Sequence, residues 1–219
     1  MPALALLSGG LDSTVAAALY VADGGELARA LFVDYGQRAV EPEERAARAV
    51  AAELGCPLER LELPGLAGAT RSALVDRARG LPEPEPEALE RDGAANADAV
   101  WVPNRNGLLL NLAAALAEGG GQEHVVVGFN AEEAATFPDN SAPFLQRLNG
   151  ALEYSTRGRV AVVAPTLHMD KAELLAAGRA VGAPVDLSWS CYAEGPMPCG
   201  RCESCRRRQR AEEALARAP

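Results

Sequence analysis

The chain has 219 residues, 48% of them hydrophobic and 23% charged, an ordinary globular composition that excludes a disordered or collagenous chain. A net charge of −9 argues against the chain as a whole being a non-specific nucleic-acid binder, which needs a basic face, and leaves a local basic site open. No apolar run approaches the roughly 18 residues of a membrane helix, and the length fits one large domain with at most a small appendage.

Residues 3–7 read as a short buried strand that meets Ser8-Gly9-Gly10. With no basic start before it, this is a strand and not an export signal, which points to the cytoplasm. A helix is predicted over 12–22, a strand over 27–33, and a helix over 41–54 with Ala46, Val50 and Leu54 on one stripe and Gly55 at its end. Residues 58–63 alternate apolar and charged, as an edge strand does. No strand is predicted over 64–100. Pro82-Glu83-Pro84-Glu85-Pro86-Glu87 within it reads as an exposed, extended acidic loop with nothing to bury, a mobile lid being the alternative. A helix over 106–117, a buried strand over 125–127, an Asn- and Pro-rich loop over 129–149, a strand over 160–163 and a helix over 171–181 complete the pattern. Strand and helix alternating at this spacing predict an α/β protein, a Rossmann-like parallel sheet with helices on both faces. Such sheets bind ligands at the loops leaving the carboxyl ends of their strands.

One of those loops carries chemistry. Ser8-Gly9-Gly10-Leu11-Asp12-Ser13-Thr14 follows the first strand and opens the first helix. Two glycines let the backbone approach an anion, and the hydroxyls of Ser8, Ser13 and Thr14 join the free amides and the helix dipole as donors. It is neither a Walker A loop nor the dinucleotide Gly-x-Gly-x-x-Gly pattern. A plain strand-to-helix turn capped by Asp12 or Ser13 would account for one glycine and one cap, but not for the string of small hydroxyls.

The other chemistry lies near the end. Cys191, Cys199, Cys202 and Cys205 are spaced x7, x2, x2, close enough for turns to bring four thiolates to one point. A closed four-sulfur site suits structural zinc, with an iron–sulfur cluster as its rival. Cys56 reads as a small core or surface residue. Arg206-Arg207-Arg208-Gln209-Arg210 reads as a solvated helix face continuing through 211–218.

The first loop resembles the pyrophosphate loop, Ser-Gly-Gly-x-Asp-Ser, of the ATP pyrophosphatase (PP-loop) superfamily, whose members split ATP into AMP and pyrophosphate. That resemblance implies that Leu7, Ser8, Gly9, Gly10, Leu11, Asp12, Ser13 and Thr14 hold ATP. It also implies that Asp12 helps to hold Mg²⁺, and that Lys171, in Pro165-Thr166-Leu167-His168-Met169-Asp170-Lys171, stands near the phosphates. Further segments resemble the 7-cyano-7-deazaguanine synthase family: Asp34-Tyr35-Gly36-Gln37-Arg38, Val102-Pro103-Asn104-Arg105-Asn106, Ser190-Cys191-Tyr192, and Pro198-Cys199-Gly200-Arg201-Cys202 with Ser204-Cys205.

The resemblance implies an ATP-dependent ligase that converts 7-carboxy-7-deazaguanine and ammonia to the nitrile, with Asp12 and Lys171 catalytic. Substrate contacts fall on Arg38, Arg105, Asn106, Asn130 and Asp139. The implied cofactors are structural Zn²⁺ on the four cysteines and Mg²⁺, with ATP as co-substrate. A nucleotide-binding domain over 1–187, a zinc-binding segment over 188–219 and a homodimer are implied as well. One segment departs: Thr136-Phe137-Pro138-Asp139-Asn140-Ser141 stands where the family carries Gly-Tyr-Pro-Asp-Cys-Arg, and Glu133 where an Asp is usual. The alternative is a related adenylating enzyme acting on another acid or on tRNA, of which a thiolating member would need a reactive cysteine such as Cys56.

Overall fold

The first apolar run, β1 (Pro2–Leu6), forms the middle of a five-stranded sheet. The computed structural model describes residues 1–217. α1 (Leu11–Ala22) returns the chain to β2 (Glu26–Asp34), and α2 (Val40–Glu53) returns it to β3 (Leu58–Glu62). α3 (Pro64–Gly68), α4 (Gly93–Val100) and α5 (Arg105–Gly120) precede β4 (His124–Val126). α6 (Ala131–Ala134) and α7 (Ala142–Ser155) lead to β5 (Ala161–Val163), followed by α8 (Lys171–Ala180) and α9 (Glu203–Arg217). The strand order is β3-β2-β1-β4-β5 and every pairing is parallel, so the predicted α/β class and the edge position of β3 both hold.

The period-2 alternation of the strands sends side chains to two cores. On one face Leu4, Leu31, Val33 and Val125 pack against Leu110, Ala113 and Ala117 of α5 and Leu148 and Leu152 of α7. On the other face Ala3, Ala5, Leu7 and Phe32 meet Ala16 and Ala17 of α1 and Ala47, Val50 and Ala51 of α2. Alanines on this second face bring helix backbone close to the sheet, which is how a chain with so few aromatics fills its core. Each fully buried leucine or valine contributes roughly 1.5–3 kcal/mol.

α7 begins inside the stretch expected to be a loop. The Asn- and Pro-rich run is its start signal: the Ser141 hydroxyl accepts from the Phe144 amide at 3.3 Å, Pro143 sits in the first turn, and Leu145, Leu148 and Leu152 then face the core. α4 was likewise hidden, because Gly93-Ala94-Ala95-Asn96 offers little periodicity.

Two further expectations are corrected. Residues 82–85 are extended and Pro86–Ala88 form a 3₁₀ turn, with exposed glutamates, but the run is not free of packing: Pro84 is buried, the Pro82 carbonyl accepts from the Glu203 amide at 3.1 Å, and Glu83 pairs with Arg201 at 2.9 Å. Nor is the arginine run a solvated face. Arg207 is buried, and the side chains of Arg208 and Arg210 are engaged by Glu212, Glu90 and Glu132. Residue 218 of that predicted helix lies outside the described residues.

Residues 188–217 are built onto the rest rather than set apart. α9 packs on α8, and the Trp189 amide donates to the Gly9 carbonyl at 2.8 Å. Among the described residues no helix is long and apolar enough to cross a membrane.

Candidate active site and cysteine centre

The carboxyl ends of β1, β2 and β4 open into a cavity of about 250 Å³. The loop after β1 forms its floor. Gly9 has φ +78°, and a Cβ there would lie 2.3 Å from the Glu43 carbonyl oxygen of α2, so only glycine fits. Gly10 is the N-cap of α1. The Ser8 and Ser13 hydroxyls hydrogen bond to each other at 3.1 Å, and the Gly10 amide donates to Ser8 Oγ at 3.2 Å. Leu7, Ser8, Gly10, Leu11, Asp12 and Ser13 all line the cavity. Thr14 does not: it is fully buried, and its hydroxyl donates to the Gly10 carbonyl at 2.9 Å, fixing the turn instead of facing a ligand. Gly9 likewise faces α2. Sequence reasoning missed Gly128, just past β4, where a Cβ would sit 2.4 Å from the Ser13 amide nitrogen.

Asp12 and Lys171 meet across the cavity floor. Lys171 begins α8, which opens with a capping box in which Asp170 accepts from the Glu173 amide at 2.8 Å and Glu173 accepts from the Asp170 amide at 3.0 Å. The lysine is 7% exposed, and its Nζ reaches Asp12 at 2.7 and 2.8 Å and Glu133 at 3.4 Å. Burial pushes the Asp12 carboxyl up to about 6, with Glu133 adding to the rise and Lys171 opposing it. Burial works against the Lys171 charge, but Asp12 and Glu133 hold its ammonium well above the usual range. Two carboxylates against one ammonium leave surplus negative charge beside the hydroxyls of Ser8 and Ser13. These are the oxygen donors a hard divalent cation requires, so the residues fit Mg²⁺.

Glu132, which the sequence did not flag, ties this floor to the C-terminal end. Its Oε1 accepts from the Lys171 amide at 3.0 Å, and its Oε2 accepts from Arg207 at 3.2 Å and Arg210 at 2.6 Å. Arg207 also donates to Glu203 at 2.6 Å, and the second oxygen of Glu203 accepts from the Tyr192 hydroxyl at 3.0 Å.

Opposite this floor, Asn104 at φ +53° turns the chain into α5 and places Arg105 and Asn106 on the cavity wall. The Arg105 guanidinium lies 5.9 Å from the Tyr35 ring centroid, with Nη1 3.4 Å from the Tyr35 hydroxyl oxygen. Asn106 donates to the Asp139 carbonyl at 3.3 Å, which holds the 138–140 turn against α5. Trp101 and Phe137 stack with centroids 6.2 Å apart and planes 8° apart, giving the cavity a flat apolar side. In the departing segment, Phe137 thus supplies half of a stack, Asn140 lines the cavity and Ser141 caps α7.

Two predicted contact residues have other duties. Asn130 is fully buried outside the cavity lining, and its Oδ1 accepts from the Glu133 amide at 2.9 Å, so it positions Glu133. Arg38 touches the cavity rim but donates to the carbonyls of Asp76 and Arg79, clasping the 72–79 segment. Gln37 and Glu43, which the sequence left without a role, share a 3.1 Å hydrogen bond at the same rim.

The four cysteines come together as their spacing required. Their sulfurs all lie within 4.8 Å of one another, a set that fits a metal ion. Cys191 Sγ accepts amide hydrogens from Ala193 and Cys199, both at 3.3 Å, and Cys199 Sγ accepts from the Cys202 amide at 3.3 Å. Hydrogen bonds from the thiols of Cys202 and Cys205, with those amides, hold the Cys191 thiol far below its ordinary range, favouring the thiolate a metal binds. Cys56 stands apart in the core between the sheet and α2, where burial pushes its thiol up, so it is no activated sulfur nucleophile.

A Ser-Gly-Gly strand–turn–helix, a buried Lys–Asp pair beside it and a four-cysteine cluster compatible with a metal, all on a parallel sheet, define an α/β protein of the PP-loop type. Within that class the chain belongs to the family described as "Queuosine biosynthesis protein QueC", whose model matches residues 2–216. It is 48% identical to the 7-cyano-7-deazaguanine synthase of Desulforudis audaxviator (strain MP104C), over 98% of this chain and 97% of that one. It is 46% identical to the 7-cyano-7-deazaguanine synthase of Pelotomaculum thermopropionicum, over 96% of both. Among solved structures, the U34-tRNA thiolase NcsA from Methanococcus maripaludis with its [4Fe-4S] cluster matches with a TM-score of 0.53 and 15% identity. That match covers all of this chain and 73% of the thiolase, and shows a shared fold alone.

Proposed function

We propose that this chain is an ATP-dependent ligase that converts 7-carboxy-7-deazaguanine and ammonia to 7-cyano-7-deazaguanine. The observation that carries the reading is the Lys171–Asp12 pair closing the phosphate loop, in a chain 48% identical over 216 residues to a protein of that name. The substrate carboxylate oxygen attacks the α-phosphorus of ATP and pyrophosphate leaves. Ammonia then adds to the acyl adenylate; AMP and a proton depart, leaving the amide. A second ATP takes the amide oxygen onto its α-phosphorus, again releasing pyrophosphate, and loss of AMP and both nitrogen protons leaves the nitrile.

No side-chain nucleophile is required, so the chain contributes position and charge. The amides of the Gly9–Ser13 turn and the hydroxyls of Ser8 and Ser13 hold the pyrophosphate half. Lys171 neutralises charge developing as it leaves. Asp12 with Glu133 would hold Mg²⁺, which supplies further positive charge to the phosphates. Cys191, Cys199, Cys202 and Cys205 would hold Zn²⁺ in a closed structural site. Arg105, Asn106 and Asp139 contact the acid.

The site works in a cytoplasmic homodimer as the family resemblance implies. The test is to incubate the protein with 7-carboxy-7-deazaguanine, ammonia, Mg²⁺ and ATP, and follow products by mass spectrometry. Nitrile with two AMP per turnover supports the reading; absence of both amide and nitrile overturns it.

A further inference from the structure

The wall that carries Arg105 holds an acceptor without a donor. Oδ1 of Asp139 is buried with no hydrogen-bond partner among the described residues, although the Asp139 backbone is pinned by Asn106. A buried acceptor without a donor is unfavourable, and native structures keep one where a ligand supplies the missing group. The same wall carries a complementary lack. Arg105 forms no ion pair within 4 Å of a carboxylate among the described residues, and its contacts are the Tyr35 and Asn106 side chains, which leave Nη2 unassigned. Beside the two groups runs the flat Trp101–Phe137 stack. Cation and carboxylate thus stand on one wall, each short of a partner, next to a surface that suits a planar ring.

We infer that Asp139 is a specificity-determining residue that reads the amidine edge of the deazapurine ring, accepting from its ring N–H and its exocyclic amine, while Arg105 takes the neighbouring oxo and carboxylate oxygens. The inference deepens the function proposed above and rests on it. A 2-amino-4-oxopyrimidine edge presents two parallel donors beside an acceptor, which matches a carboxylate next to a guanidinium. Burial raises the Asp139 carboxyl, and the nearby Arg105 guanidinium opposes that rise.

A site built to accept from a substrate N–H rejects the analogue that lacks it, because its own acceptor is then left unpaired. The wild type should therefore prefer 7-carboxy-7-deazaguanine over the analogue without the exocyclic amine by at least ~100-fold in kcat/KM. Asp139→Ala should shrink that ratio below ~10-fold. Asp139→Asn replaces one acceptor by a donor, and should shift preference toward the analogue bearing an oxo group in place of the amine. The KM for ATP should stay put in both variants. Binding of the two ring analogues to the wild type, followed by tryptophan fluorescence, gives the same comparison without any variant. Unchanged rank order in Asp139→Ala and Asp139→Asn, equal loss on all three acids, or no discrimination by the wild type overturns the inference while the activity stands. A wild type that makes neither amide nor nitrile overturns the function itself, and this inference with it.

Discussion

Replacing Arg207 by Met tests whether the charge cluster beneath the cysteine centre holds the C-terminal end in place. Arg207 is 7% exposed and Glu203 only 3%, so their 2.6 Å ion pair is closed to water. Glu132 at 3.2 Å and Glu90 at 3.6 Å also face the guanidinium, but Glu90 is exposed and contributes little. Removing the arginine leaves Glu203 with only the Tyr192 hydroxyl on one oxygen. Deleting one partner of a buried pair costs roughly 3–5 kcal/mol, because the other charge stays behind. In a chain of this size each kcal/mol moves the melting point by about 2–4 °C, so Arg207→Met should melt about 6–20 °C below the wild type. Adding Glu203→Gln should recover most of that loss, since no bare charge then remains. Arg207→Lys should fall between, as a single ammonium cannot span Glu203 and Glu132 together. Thermal unfolding followed by near-ultraviolet circular dichroism measures all four proteins. A shift under about 2 °C for Arg207→Met, or a double variant no more stable than the single one, would refute the reasoning.

Lys171→Ala should lower the rate of AMP release by about 10²–10³-fold with substrate binding largely kept, and equal turnover in wild type and variant would contradict its placement beside the leaving group. Gly128→Ala would press a methyl group 2.4 Å from the Ser13 amide nitrogen, so it should cost about 1–3 kcal/mol and raise the KM for ATP; an unchanged melt and KM would show that the β4–α1 approach is loose. Burial raises the Glu43 carboxyl to about 7, above its usual 4.5, so the folded protein holds that proton more tightly than the unfolded chain. Its favourable contribution is complete below about pH 4.5 and is lost as pH rises through 7; Glu43→Gln should therefore gain on the wild type by up to about 3 kcal/mol between pH 5 and pH 8, and a pH-independent difference would speak against it. Elemental analysis should find one zinc per chain, and Cys202→Ser should lose both the metal and several degrees of melting temperature; full metal content in that variant would exclude the four-sulfur site.

Where the sequence states its own geometry, it was legible. The Ser8–Ser13 loop, the cysteine spacing and the alternation of strands with helices depend on neighbours in the chain, and each appears in the fold as read. What stayed hidden depends on residues far apart. Lys171 is marked only by the resemblance of its motif, and its burial against Asp12, 159 positions away, cannot be read from its neighbours in the chain. The arginines of α9 look solvated because Glu90 and Glu132, their partners, belong to other elements. Thr14 carries the right chemistry for a phosphate donor but occupies a helix position that turns its hydroxyl inward. Asn130 likewise has the right polarity in the right segment, yet its carbonyl is the cap of α6.

The hydrogen bond from Trp189 to Gly9 joins the cysteine segment to the loop after β1. That loop is in place after the first helix, while the part of the cavity lined by Trp189, Ser190, Cys191 and Tyr192 waits on a segment far later in the chain. A nascent chain therefore cannot close this cavity until that segment has left the ribosome.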